Sequence, residues 1–535
     1  MLVHPTTGLP LRGPAMSSHG MSLPGMAAAG SAVSTEAAFR AASAGGQEFA
    51  AWMAPHLSAD GAVLRDRRVA ADRVEDAHRN NSVAVAATMR LVDMLVGAGL
   101  RFSSKPKAEA LGVSREDARA LGAQIEREFT RHMSDPRKRI DAQRKLSGAG
   151  LMRLIARSFV KLGEACLMAT WRDGQGPYET CFQAIDPARL CNPSGRLSGA
   201  NLRDGVVLDS FGAPVAYHVR NSHSGEFGSM GQATWITIPR ETEWGRPVFM
   251  HVFEPEREDQ NRAMSPMAPT LGRMRMLDRW SDHEVAAAAV NALYAAYVKS
   301  NLPVGEVLAS MDPGAMGGIE ARRADFYSQA PLKVNGVRIP VLPAGDELVM
   351  NGTPRQSAAF GDFNTAFLQQ IAAARGLSYE QMAMDFTRST YSSVRAALNE
   401  TWRMVKRLLA QFVEQGPVPM LLAIVEEGVD KGHIIAPQGC APLWDDPAAW
   451  LSGRWIGPGR GYTDPVREAE ASALRMETMI STLESECAEQ GYDWEETLDQ
   501  IEREENEFAR RGLNRATVAS RIAARSAAAA PAATD

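Results

Sequence analysis

Across 535 residues no glycine is followed by a lysine. That removes a Walker-type phosphate loop, which needs its lysine beside the β- and γ-phosphates. Histidine is sparse, 10 residues in all and scattered. His283-Glu284 opens like a zinc-protease helix, but Ala287 stands where the second histidine would have to be. Gly228-Ser229-Met230-Gly231 lacks the spacing of a nucleophile elbow. The five cysteines (Cys166, Cys181, Cys191, Cys440 and Cys487) are odd in number and contain no C-x-x-C pair, a pattern of buried reduced thiols. There is no basic excess either. A net charge of −5 argues against a protein that coats nucleic acid by neutralising phosphates, although one that lets DNA slide past needs no such excess. The longest apolar run, Val285 to Val298, is interrupted by Asn291 and falls short of the ~20 residues that span a bilayer. The N-terminus lacks the basic-then-apolar order of a signal peptide. These absences leave no legible catalytic residue, cofactor site or metal site, and no membrane partner.

What is present is ordinary globular composition, 45% apolar and 23% charged, in a length that allows two to four structural units. Residues 1–45 and 516–535 are low in periodicity and read as disordered arms. Residues 48–134 read as mostly helical: the apolar positions Leu64, Val69 and Val74 lead through Asn80-Asn81 to Leu91 and Leu95, with an end at Gly97 and Gly99. Helical blocks follow at Asp117–His132 and Gly148–Val160. The period then shortens to β-like runs at Ala165–Trp171, Glu179–Ile185, Val206–Leu208, Pro214–Val219 and Thr234–Ile238. A long helix is expected from Ser265 to about Ser300 and another over Phe360–Arg375, then a loop over Gly376–Tyr391, then a helix with Val394, Leu398, Trp402, Val405, Leu409 and Phe412 on its apolar face. Asp464-Pro465 marks a helix start whose end is expected near Gly491, and Asp493 with Glu496 has capping-box spacing. Helices flanking several short strands give an α+β body. The acidic pairs Glu426-Glu427 and Glu504-Glu505 fall on expected helix surfaces, where a solvated face outweighs an acid/base role. Trp444, Trp450 and Trp455 are expected to pack rather than to bind a partner.

The segment from Gly376 to Leu398 is the most informative. Gly-Leu-Ser-Tyr-Glu-Gln-Met and Tyr-Ser-Ser-Val-Arg-Ala-Ala-Leu join two helices through a stretch of few charges and many hydroxyls. It resembles the loop-and-helix block of bacteriophage portal proteins of the lambda type. Other blocks stand in the same order: Arg79-Asn80-Asn81 with Val96-Gly97-Ala98-Gly99, Gly163-Glu164-Ala165, Ile185-Asp186-Pro187, Gly212-Ala213-Pro214, His251-Val252-Phe253, Pro458-Gly459-Arg460-Gly461 through Asp464-Pro465, and Ile501 with Arg503-Glu504. Each block is weak alone. Together they extend the resemblance from about Trp52 to Ala509.

The resemblance implies a portal-type protomer that assembles into a cyclic ring, commonly a dodecamer, at one capsid vertex of a virion made in a bacterial cytoplasm. Its parts would be a wing over 46–264, a stem helix over 265–300, a clip over 301–354, a second stem helix over 355–375 and a tunnel loop over 376–391. A long helix and the rest of the wing would follow over 392–463, and crown-like helices over 464–515. The implied partners are double-stranded DNA without sequence preference, the terminase large subunit, the major capsid protein and the head–tail connector proteins. Met384, Asp385, Phe386, Thr387, Arg388 and Ser389 would line the narrowest part of the channel. Arg388 would touch phosphates or else pair with Asp385 or Glu380 of a neighbour. Arg322, Arg323 and Lys333 would meet DNA or terminase at the clip, or else be solvated charges. Two rivals remain, a head–tail adaptor or scaffold and a DNA-processing enzyme of a mobile element. The latter requires a carboxylate cluster that the sequence does not offer.

Overall fold

The computed structural model describes residues 54–174, 176–226, 233–295, 332–334, 337–339, 357–387, 389–461 and 464–513. Arg322, Arg323 and Arg388 lie outside them. At the centre stands a three-stranded antiparallel sheet with Glu164–Trp171 between Thr180–Ile185 and Phe249–Phe253. The Gly148–Leu162 helix, capped by the Ser147 hydroxyl, lays Leu151, Ile155 and Phe159 into the core ahead of that central strand. Gly163, at φ +83°, makes the turn between them, and a Cβ there would run into the Met264 carbonyl. The Ser82–Leu95, Arg115–Met133 and Pro417–Asp430 helices complete the same core through Leu91, Leu95, Leu121, Ile125, Met420 and Ile424. A four-stranded antiparallel meander, Leu202–Arg203, Val206–Leu208, Pro214–Arg220 and Trp235–Pro239, has its own smaller core around Leu190, Tyr217, Val219 and Phe249.

Several expectations need correction. The helix read through Asn80-Asn81 is two helices, Arg67–Asn80 and Ser82–Leu95. Asn81 is extended at φ −118°, ψ 119°, and its side chain accepts the Ala84 amide at 2.8 Å, because a short amide does better satisfying an orphan N–H than continuing a helix. Arg101–Ser104, expected within helical sequence, is a strand paired with Gly453–Ile456, a distant partner that local periodicity cannot reveal. The helix expected from Asp464 to Gly491 divides into Pro465–Glu477 and Leu483–Glu489, with Met479 at φ +59° between them. Asp464 caps as expected, through the Arg467 amide at 3.3 Å with Pro465 in the first turn. Asp493 caps the Trp494–Arg510 helix, but Glu496 reaches out to Arg101 at 2.6 Å instead of closing the box. Trp450 and Trp455 do pack: the first is 1% exposed, and the second lies against Phe102 and Phe129.

Glu427 overturns the solvated-face reading. It is 1% exposed, accepts the Glu179 and Thr180 amides at 2.6 and 2.9 Å, and pairs with Lys431 at 2.8 Å. Glu426 beside it holds Arg246 and the Trp244 indole N–H. A stretch long and apolar enough to cross a membrane, Tyr391–Asp430, is broken at Gly416 into two helices whose buried side includes Val405, Phe412, Met420 and Ile424. Cys166 and Cys181 are buried, whereas Cys191, Cys440 and Cys487 are half-buried, and all five are free.

The Trp494–Arg510 helix is tied by charge to the Arg101–Ser104 strand and the Arg115–Met133 helix, through Arg101–Glu496 and Arg119–Glu495, with Lys105 bound to Glu484 and lying over the Trp494 ring. Beneath these pairs Glu126 accepts the Ser104 amide. Burial pushes its carboxyl up to about 7; the Ser104 bond works against this, and Asp493, Glu495 and Glu496 add to it. A raised folded value means that the stability from protonated Glu126 is full below about 4.5 and is lost as pH rises through about 7. Amides of Trp494–Arg510 are therefore expected to exchange faster at pH 8.5 than at pH 5.5, after correction for intrinsic rates, and Glu126→Gln is expected to flatten the difference. An unchanged pH dependence in the variant would rule Glu126 out.

Candidate functional site

The loop begins with a glycine that the geometry requires. Gly376 sits at φ +69°, where a Cβ would collide with the Met404 sulfur. Leu377 is buried, and Ser378 then opens a short helix, Tyr379–Ala383, through a reciprocal capping box with Gln381 (Gln381 N to Ser378 Oγ 3.3 Å, Ser378 N to Gln381 Oε1 2.9 Å). This short helix lies inside the stretch expected as loop, because five residues are too few to show a helical period. Thr401, on the following helix, donates to Gln381 Oε1 at 2.9 Å. Gln381 and Met382 are both buried, so the base of the loop is part of the core.

Met384 leaves the short helix in the left-handed conformation, φ +55°. It is 55% exposed and Phe386 is 47% exposed. Asp385 organises the turn: its carboxylate accepts the Thr387 amide at 3.1 Å, the Thr387 hydroxyl at 2.6 Å and the Tyr379 hydroxyl at 3.2 Å. Ser389, half-buried, donates its amide to the Phe386 carbonyl at 3.2 Å. Thr390 then caps the Tyr391–Gln415 helix with Ser393 as reciprocal partner. Met384, Asp385, Phe386 and Thr387 thus come together at one tip. Such a tip offers apolar bulk and hydroxyls to whatever passes, while its carboxylate is already engaged by the turn.

Of the second candidate set, Arg322 and Arg323 lie outside the described residues. Lys333 lies on Leu332–Val334, paired with Val337–Ile339 so that Lys333 stands across from Arg338.

Among the described residues, sequence reasoning missed a cluster of buried charge around Glu164. Glu164, 1% exposed, receives Arg67 at 2.7 Å, Arg262 at 2.7 and 2.9 Å, and His251 at 3.1 Å. Asp204 takes the same two arginines at 2.6 and 3.1 Å. Arg262 is fully buried and also donates to the Leu190 and Pro187 carbonyls at 2.7 and 3.0 Å. Burial pushes His251 down, so it is neutral and donates from Nε2 to the carboxylate. Two cations and two anions cancel, which identifies a structural clamp between the Arg67–Asn80 helix and the strands. Glu164 belongs to a motif already noted, Gly163-Glu164-Ala165, but nothing in the sequence names its partners.

Three comparisons with known proteins bear on the chain. The family described as phage portal protein, lambda family, matches residues 45–408. The chain is 32% identical over 481 residues to the portal protein of Escherichia phage N15, covering 88% of this chain and 90% of that one. It is 30% identical over 480 residues to portal protein B of Escherichia phage lambda, covering 88% and 89%. Among solved structures, a chain from the neck of an empty GTA particle aligns with 80% of this chain and 94% of its own length, at 15% identity and a TM-score of 0.38.

Proposed function

Because the chain belongs to the lambda family of phage portal proteins, a structural and non-enzymatic family, we propose that its copies close into a ring whose central channel passes double-stranded DNA into and out of the capsid. In this reading 265–300 and 355–375 are the stem helices, 301–354 the clip that docks the terminase large subunit, 376–391 the tunnel loop and 464–515 the crown. The capsid protein and head–tail connector proteins meet the ring from outside. Assembly takes place in the host cytoplasm, and the finished ring sits at the portal vertex of the virion.

The observation that carries this reading is the loop: a base locked into the core by Leu377, Gln381 and Met382 under a tip that leaves Met384 and Phe386 in solvent. A passage for DNA has to contact the duplex without gripping it, because each phosphate neutralised adds affinity and slows movement. Methionine, phenylalanine and hydroxyls meet that requirement without regard to sequence. The long helices also keep apolar side chains exposed, Met276 at 60% and Val285 at 68%, although Met274 and Leu277 are buried and Trp280 meets Phe363 edge to face. Head-to-tail contacts between copies would cover what one protomer leaves open.

In this arrangement Arg388 supplies the loop's phosphate contact. Arg388→Ala is expected to leave rings intact and to shorten or destabilise the packaged genome, measured as DNA length per particle. Normal genome length in the variant would leave Arg388 with only an ion-pairing role.

A further inference from the structure

Among the described residues, one buried charge has no counter-charge at ion-pair distance. Arg375 follows the Ser357–Ala374 helix and directly precedes Gly376, and it is 6% exposed. One amino group donates to the Val160 carbonyl at 2.9 Å, in the last turn of the Gly148–Leu162 helix, where carbonyls carry partial negative charge. Its Nε has no hydrogen-bond partner among the described residues. Burial alone pushes the guanidinium down to about 10. The contrast with Arg262 is direct: that arginine is fully buried, and Glu164 and Asp204 answer it. A buried charge without a partner is costly, and the remedy is an anion with good geometry.

Arg375 lines a cleft of about 230 Å³ together with Phe159, Gly163, Met264, Gly376 and Met404. The walls are apolar side chains and backbone, together with Gln260, whose side-chain amide is already bonded to the Glu256 and Arg257 amides and the Arg262 carbonyl. At the rim stand Glu254, Glu256 and Arg407, with Glu254 held by Arg407. We propose that Arg375 and this cleft form an oxyanion receptor for a carboxylate on a short aliphatic stem, supplied by an Asp or Glu side chain of a second copy of the chain. The source rests on the ring reading above, whereas the site does not. Rim carboxylates repel a free anion and keep its affinity low. A carboxylate tethered in an assembly overcomes that repulsion through effective concentration. The apolar walls accept a CH₂ stem, which a bare phosphate lacks. Because Arg375 joins a long helix to the loop, filling the cleft would fix the loop base from the neighbouring copy.

The test compares full-length wild type, Arg375→Met and Arg375→Lys by thermal unfolding, before and after assembly, with glutarate titrated against sodium chloride at equal ionic strength. Before assembly, Arg375→Met is expected to melt at least about 2 °C higher, because it removes an uncompensated charge and keeps the stem volume. Glutarate is expected to raise the melting temperature of wild type but not of Arg375→Met. Arg375→Lys, which keeps the charge but not the planar fork, is expected to need at least about tenfold more glutarate. In the assembly the order reverses: Arg375→Met comes apart first, and glutarate no longer acts on wild type because the cleft is filled. A less stable Arg375→Met protomer, with no glutarate response in wild type, would reduce Arg375 to a helix cap and overturn the proposal. A glutarate response persisting in the assembly would overturn the second copy as source. If wild type forms no ring, the ring reading fails, and the glutarate response still decides the site.

Discussion

Replacing Glu164 with alanine is expected to cost about 3–5 kcal/mol of protomer stability, the usual penalty for removing one member of a buried ion pair. The cause is what would be left behind. Arg262 is 0% exposed and Arg67 8% exposed, and Asp204 alone, itself partly in solvent, cannot answer both. Urea unfolding monitored by tryptophan fluorescence gives the number, and a loss below about 1 kcal/mol would mean that water or a shifted Asp204 takes over. The same carboxylate predicts an acid dependence. Desolvation works to raise its pKa, but the charges of Arg262 and Arg67, with the His251 hydrogen bond, hold it well below 4.5. A depressed folded value means that the stability is present above about 4.5 and lost as pH falls below it. Glu164→Gln keeps the shape and removes that titration, so its urea midpoint is expected to change less between pH 6 and pH 3.5 than that of wild type.

The second large effect separates scaffold from tip. Phe412 is 0% exposed and packs on Phe159 with ring centroids 5.9 Å apart. Phe412→Ala removes a buried ring and leaves a cavity, which costs about 3–5 kcal/mol. The double change Met384→Ser with Phe386→Ser touches only exposed side chains and is expected to stay within about 0.5 kcal/mol of wild type. If the loop works as proposed, only the second variant folds normally and yet alters DNA retention in particles. Equal stability losses in the two would mean that the tip is a packing element, and the channel reading of the loop would lose its basis.

Legibility in the sequence followed the range of the interactions. Elements set by neighbours a few residues apart were readable: the Asp464-Pro465 start, the 148–162 and 391–415 helices, and all five proposed strands to within a residue or two. Features that depend on partners far along the chain were not. The Arg101–Ser104 strand needs Gly453–Ile456, Glu427 needs the amides of Glu179 and Thr180, and Glu164 needs Arg67, Asp204, His251 and Arg262. A glutamate pair on a helix looks the same from sequence whether it faces solvent or a strand end. At the loop, the order of helix, loop and helix was legible and the exposed Met384–Thr387 tip agrees with it. The short helix at its base was hidden because Ser378 and Gln381 act through a reciprocal cap rather than through an apolar period.

We propose that the long helices and the loop complete their surroundings only against identical copies around an open axis. Sedimentation of the purified full-length chain over a wide concentration range tests it most directly. The account predicts a closed species at a fixed multiple of 57.9 kDa, with no growth beyond it. A single 57.9 kDa species at every concentration, alone or mixed with the capsid protein, would contradict it.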